Sequence, residues 1–324
     1  MDVRFSPEQA ALRDSVAQVA ARLGPKTVAD LDDAERVAKL DAAVDASGWR
    51  EVRTAGDGGT PWASGVEAAI VAEQLGRAVA DVSFIGPTLA AELRRLIGAE
   101  PATATETVVL AADLGGLGDR VAFDAAGASV ALALHNDALV EAGLADPLPA
   151  VDITRTSASV AIPRASIGNL TDDDLDRWTA LGLALVSADL VGVMGGAVEI
   201  TCEYAKERHQ YGVAIGSFQA VQHLLADAFV SMEGARSIAL HAAWAVDALP
   251  PADALAAAAA AKAYCARAGR AVCETAIQVH GGIGNTWECL AHVFLRRALV
   301  SIDVLGGEGS NLARVLAHRG IGGA

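Results

Sequence analysis

The sequence predicts a mainly α-helical protein with a small β unit, an α+β fold in which helices flank a short run of strands. Three observations carry this. Apolar residues recur at helical spacing through residues 1–98 and again from about residue 173 to the end. Between them stand short β-branched segments separated by Gly, Asp and Pro, the punctuation of strands. The 324 residues, 52% hydrophobic and 20% charged, suffice to bury a large core and exclude a disordered chain.

The elements follow in order. Ser6-Pro7-Glu8-Gln9 opens a helix, with a hydroxyl cap, proline at the first helical position and an acid in the first turn. A second helix is expected over Asp32–Ser47, stopping at Gly48, and "TAGDGGTPW" reads as a loop. Helical spacing returns over Ser64–Val79 and Pro87–Ile97, which completes an N-terminal helical domain at residues 1–98. Strands are expected in "TVVLAA", "DRVAFDA", "SVALAL", "DALVEA", "AVDITR" and "ASVAIP", within a β domain at residues 99–172. A C-terminal antiparallel four-helix bundle at residues 173–324 follows, with helices at 173–208, 217–248, 251–279, 288–304 and 310–319. The alanine-rich third of these suits a helix and ends at Gly281-Gly282, while Ser310 is the expected cap of the last.

Charge and cysteines narrow the function. A net charge of −15 argues against a nucleic-acid binder, so any anionic ligand must be met by a few placed arginines and backbone N–H groups. Cys202, Cys265, Cys273 and Cys289 form no CxxC pair or metal-ligand spacing and predict buried free thiols in a reducing compartment. Asp2 and the lack of an apolar stretch near the N-terminus argue against a signal peptide, so a cytoplasmic location is expected. Thr179–Ile200 is almost long enough to span a membrane. Asp189 at its centre costs roughly 2.5–3.5 kcal/mol on insertion, which predicts a buried bundle helix instead.

Two stretches carry chemistry. "YAKERHQYGVAIGSFQAVQHLLAD" interrupts two helices with a loop that bears Arg208, a guanidinium suited to two phosphate oxygens. "AIQVHGGIGNTWECLAHVFLRRA" strips side chains from a helix end at Gly281, Gly282 and Gly284, so that backbone can approach a ligand, with Gln278 and His280 just before. Together they resemble the paired C-terminal signatures of the acyl-CoA dehydrogenase family. "FSPEQAALRDSVAQVA" and "EQLGRAVADVSF" are similar to that family's N-terminal helical domain. The resemblance implies FAD shared between subunits, and oxidation of an acyl-CoA thioester with a glutamate as base. It implies that Arg208 pairs with the FAD pyrophosphate and that Phe218 lies beside the adenosine. Gln278, Gly281 and Gly282 are implied to hold the same moiety across a subunit interface.

The chain departs from this pattern twice. Residues 99–172 hold nothing like the family's "TEP…GSD" stretch; "AADLGGLGDRVAFDA" passes through instead. Of the two family positions for the base, one falls on Gly182. The other, counted without gaps from Gly281, falls near Leu305, three residues before Glu308. Glu308 is the candidate base in this chain, ahead of Asp303 and Glu288; an acid before a helix N-terminus is its plain alternative. The losses suit a shortened subunit of the α2β2 type, similar to those acting on steroid side-chain CoA thioesters, that completes the FAD site of a larger homologous partner. The competing readings are a self-sufficient homomeric enzyme using Glu308, and a non-catalytic scaffold.

Overall fold

The computed structural model describes residues 4–135 and 138–322; Asp2, and Asp137 at the head of the fourth expected strand, lie outside them. Four helices come first: α1 (Pro7–Leu23), α2 (Ala34–Ala46), α3 (Gly65–Arg77) and α4 (Ile85–Leu96). Side-chain caps start three of them. Ser6 and Gln9 form a reciprocal box on α1, Asp33 accepts two N–H groups of α2, and Ser64 with Glu67 repeats the box on α3. The fourth begins at Ile85, two residues before the expected Pro87. Its cap comes from far along the chain: the Asp124 carboxylate accepts the N–H groups of Phe84, at 2.9 Å, and Gly86, at 3.1 Å.

Five strands then close into a small barrel in the order β1-β2-β5-β4-β3. They are β1 (Glu106–Leu110), β2 (Val121–Phe123), β3 (Val130–His135), β4 (Ala138–Leu148) and β5 (Ser157–Asn169). Pairing is antiparallel except between β1 and β3. Val109, Ala122, Ala131, Ala133 and Val140 are among the residues that form a small core of their own. The expected strand "AVDITR" does not form. Asp152 takes both the N–H and the hydroxyl of Thr154 and turns the chain, as Asx side chains do.

The remaining elements are α5 (Asp172–Glu207), a hairpin of β6 (His209–Gln210) and β7 (Val213–Ala214), α6 (Gln219–Ala248), α7 (Pro251–His280), α8 (Ala291–Asp303) and α9 (Glu308–His318). Thr171 and Asp174 box the start of α5. Every residue from Ala180 to Ala197 is buried, so the apolar stretch that matches a membrane span in length is the core of the bundle. At its middle, Asp189 accepts hydrogen bonds from Arg297 (2.7 and 3.0 Å) and Ser301 (2.9 Å), with Arg155 also 2.9 Å away. Burial alone raises a carboxyl pKa, but here the Arg155 and Arg297 charges win and hold Asp189 at about 2. The last helix starts at Glu308 rather than after Ser310, because Gly307, not the serine, is its cap. All four cysteines are free; Cys265 and Cys273 are buried as expected, whereas Cys202 and Cys289 are partly exposed.

Candidate functional site

Helices α5 and α7 run parallel, so their C-termini meet at one end of the bundle. The rings of Tyr204 and His280 stack there, centroids 4.4 Å apart, and the Tyr204 hydroxyl donates to the His280 carbonyl at 3.4 Å. Burial lowers the His280 pKa, and its Nδ1 lies 2.8 Å from the Ala276 carbonyl oxygen, so the imidazole stacks as a neutral ring. This contact fastens together the two motifs singled out in the sequence. Arg208 follows Tyr204 by one turn as the cap residue of α5, and Gly281 follows His280 directly.

Around that junction, polar side chains face outward. Lys206 is taken by Glu203, at 2.6 Å, while the exposed Arg208 side chain makes no ion pair or hydrogen bond among the described residues. Gln278 is exposed. Gly281 adopts φ 66° and ψ −141°, a region open to glycine only, and no atom lies within 4 Å of where a side chain would start at either Gly281 or Gly282. Tyr211 and Gly212, both at positive φ, make the tight turn of the hairpin. Tyr211 is 95% exposed and meets Phe218 edge-on at 6.4 Å. Next along α6, Leu224, Phe229 and Val230 are also exposed, an apolar surface of the kind that marks an interaction site.

The turn between α8 and α9 is built the opposite way. Leu305 is fully buried at φ 59°, unusual for a branched side chain. Its Cδ1 lies 2.3 Å from where a Gly182 side chain would begin, with Leu89 of α4 at 3.6 Å from the same point. The two positions at which a base was expected therefore face each other, one empty of side chain and the other a leucine filling it. The β1–β2 loop closes the turn from the barrel side, for the Leu305 N–H donates to the Leu114 carbonyl at 2.7 Å. That loop is the "AADLGGLGD" segment. Glu308 stands three residues beyond and is bound by Arg267, whose Nε donates at 2.9 Å; that hydrogen bond and charge lower its pKa. Asp303 is exposed at the end of α8, and exposed Glu288 borders a groove of about 780 Å³ between α1, α3 and α5.

Sequence reasoning did not find Lys262, whose buried amine reaches this turn from α7 at 2.6 and 2.9 Å from two carbonyls. Its signal was present as a lone cation within the alanine run. Among the described residues no group of three His, Cys, Asp or Glu side chains could hold a metal.

A family model described as acyl-CoA dehydrogenase, C-terminal domain, matches residues 181–319. The chain is 33% identical over 257 residues to acyl-CoA dehydrogenase IpdE2 of Mycolicibacterium smegmatis, covering 78% of each sequence. Among solved structures, a chain of the Tcur3481-Tcur3483 steroid ACAD aligns with a TM-score of 0.83 at 22% identity, over 97% of this chain and 98% of that one. A chain of the ChsE4-ChsE5 complex from Mycobacterium tuberculosis aligns over the whole of both chains with a TM-score of 0.81 and 22% identity.

Proposed function

Because the chain belongs to the acyl-CoA dehydrogenase family, we propose that it is the shortened subunit of a heteromeric enzyme and completes the FAD site of a larger homologous partner. FAD is the cofactor that family membership brings, and its fit to this chain divides by region. Arg208 offers a diphosphate a guanidinium fork that is unpaired among the described residues. Gly281 and Gly282 offer backbone with open space before it, Gln278 an amide, and Phe218 an aromatic edge. These groups suit the adenosine-diphosphate end. Among the described residues, the barrel interior and the Gly182–Leu305 contact are filled with apolar side chains, which leaves no room there for a flavin ring or a thioester.

When bound, the flavin supplies hydride acceptance during α,β-dehydrogenation of an acyl-CoA. The contribution of this chain is to hold and orient the nucleotide tail and to keep water from the seam. The base is the partner's. The observation that carries the reading is the Leu305 side chain standing in the space beside Gly182, which leaves a carboxylate at neither expected position. Solved structures whose titles name a steroid ACAD and a two-protein complex support a steroid-related substrate and an unlike partner; a bulky steroid side-chain CoA thioester, a heterotetramer and a cytoplasmic location are part of the same proposal.

The test is co-expression with a larger homologous subunit. The proposal expects the chain alone to purify without flavin absorbance and the complex to be yellow, with Arg208→Ala removing the flavin from it. A chain that is yellow by itself, dehydrogenates an acyl-CoA and loses that activity on Glu308→Gln is the homomeric enzyme. Flavin retention indifferent to Arg208→Ala points to the scaffold.

A further inference from the structure

Lys262 lies in the middle of α7 with 0% of its surface exposed and no ion-pair partner among the described residues. A buried cation without an ion-pair partner is costly, and hydrogen bonds to its amine are what offset that cost here. Its Nζ donates to the carbonyl of Ile302, in the last turn of α8, at 2.6 Å and to that of Gly306 at 2.9 Å. Two residues of α9 approach the same turn from the other side. Arg314 donates to the Leu305 carbonyl at 2.7 Å, and Asn311 donates to Gly306 and Gly307 at 2.7 and 3.0 Å. Each carbonyl from Leu305 to Gly307 thus receives a side-chain donor, and the Leu305 N–H is held by Leu114. Leu305, so enclosed, is the turn's non-glycine residue at positive φ, beside Gly306 at φ 93°, and strained backbone survives only where its surroundings over-determine it.

We propose that Lys262 is a positioning residue that locks the α8–α9 turn, and that the locked turn holds Leu305 as a stopper in the space between α4, α5 and the β1–β2 loop. The stopper excludes an apolar acyl chain, so this subunit is limited to the nucleotide tail by a filled pocket as well as by a missing base. A nucleophilic role for the amine is excluded by its burial and by its two carbonyl partners. The biological meaning of the stopper rests on the function proposed above, whereas the lock itself is a property of this chain alone.

Amide hydrogen exchange on the full chain tests the lock, with four proteins compared: wild type, Lys262→Met, Leu305→Gly and the double variant. Lys262→Met is expected to speed exchange at Leu305 and Gly306 by about tenfold or more, leaving α6 and barrel amides unchanged. Glycine adopts positive φ without strain, so the same substitution on the Leu305→Gly background is expected to have a smaller effect. Equal effects on the two backgrounds, a uniform loss of protection across the chain, or no change at the turn overturns the proposal. Should Lys262→Met not fold, Lys262→Gln, which keeps two N–H donors on a shorter stem, is read by the same criteria. Flavin binding is not measured here, so failure of the lock and failure of the proposed cofactor role remain separate results.

Discussion

The junction of α5 and α7 and the turn between α8 and α9 carry the residues expected to bind and to react, and they are finished in opposite ways. At the junction, the Arg208 side chain faces outward with no partner among the described residues, and open space lies before the Gly281-Gly282 backbone. At the turn, the Leu305, Gly306 and Gly307 carbonyls and the Leu305 N–H are met from within, and a leucine fills the remaining space. Polar groups left open belong to a ligand or a neighbour; polar groups satisfied internally belong to the fold. The contrast shows how one chain can keep the binding half of a shared site while the reacting half becomes core.

Substitutions that break the closed side have the largest expected effect. Asp189→Ala leaves the buried Arg297 guanidinium without its carboxylate and Arg155 with Asp152, 3.4 Å away, as its remaining ion-pair partner among the described residues. It is expected to lower stability by about 3–5 kcal/mol, read by urea denaturation; a loss within error removes Asp189 as the electrostatic centre of the bundle. Next comes the stopper. Leu305→Ala is expected to cost about 2–5 kcal/mol as a cavity opens. Leu305→Gly should be the more stable of the two by about 1 kcal/mol, because only glycine relieves the positive φ. The usual order, alanine above glycine, would show that the turn is unstrained.

Lys262 gives a pH test of the same region. Burial pushes its folded-state pKa down to about 7 from 10.5. The unfolded chain therefore binds more protons between those values, and the residue's contribution to stability rises with pH across the window and is lost as pH falls to about 7. Cys265 and Cys273, pushed up to about 12 by burial, act in the opposite sense above pH 9. Cys273 does so equally in wild type and Lys262→Met, whereas Cys265 feels the Lys262 charge, so the comparison is made between pH 7 and 9, below both thiols. Denaturation of the pair at several pH values should show the wild type gaining on the variant from pH 7 upward; parallel curves contradict the assignment. The smallest effect is expected at Glu308, whose ion pair with Arg267 is solvent-exposed. Glu308→Gln should leave both melting temperature and the complex's turnover unchanged, and a large loss of turnover with intact flavin would restore it as the base.

Much of this was legible in the sequence, for a physical reason. Long helices announce themselves through spacing and local caps, so α1 and α5 to α7 fall within about two residues of expectation. Arg208 and Gly281 were legible because a cation in a loop and glycines at a helix end are local signals. The start of α4 was not, since its cap is Asp124 on a strand, and "AVDITR" turned aside for Asp152 and the buried arginines. Counting placed Leu305 where a base was expected, but its packing against Gly182 joins residues more than a hundred positions apart. Only the folded chain brings them together.

The most direct test of the central claim is the flavin content of the purified complex with its larger partner, with and without Arg208→Ala in this subunit. The account predicts one FAD for each pair of unlike subunits, lost on the substitution while the subunit ratio and melting temperature of this chain hold. Flavin bound to every subunit, or retained in full after the substitution, would contradict it.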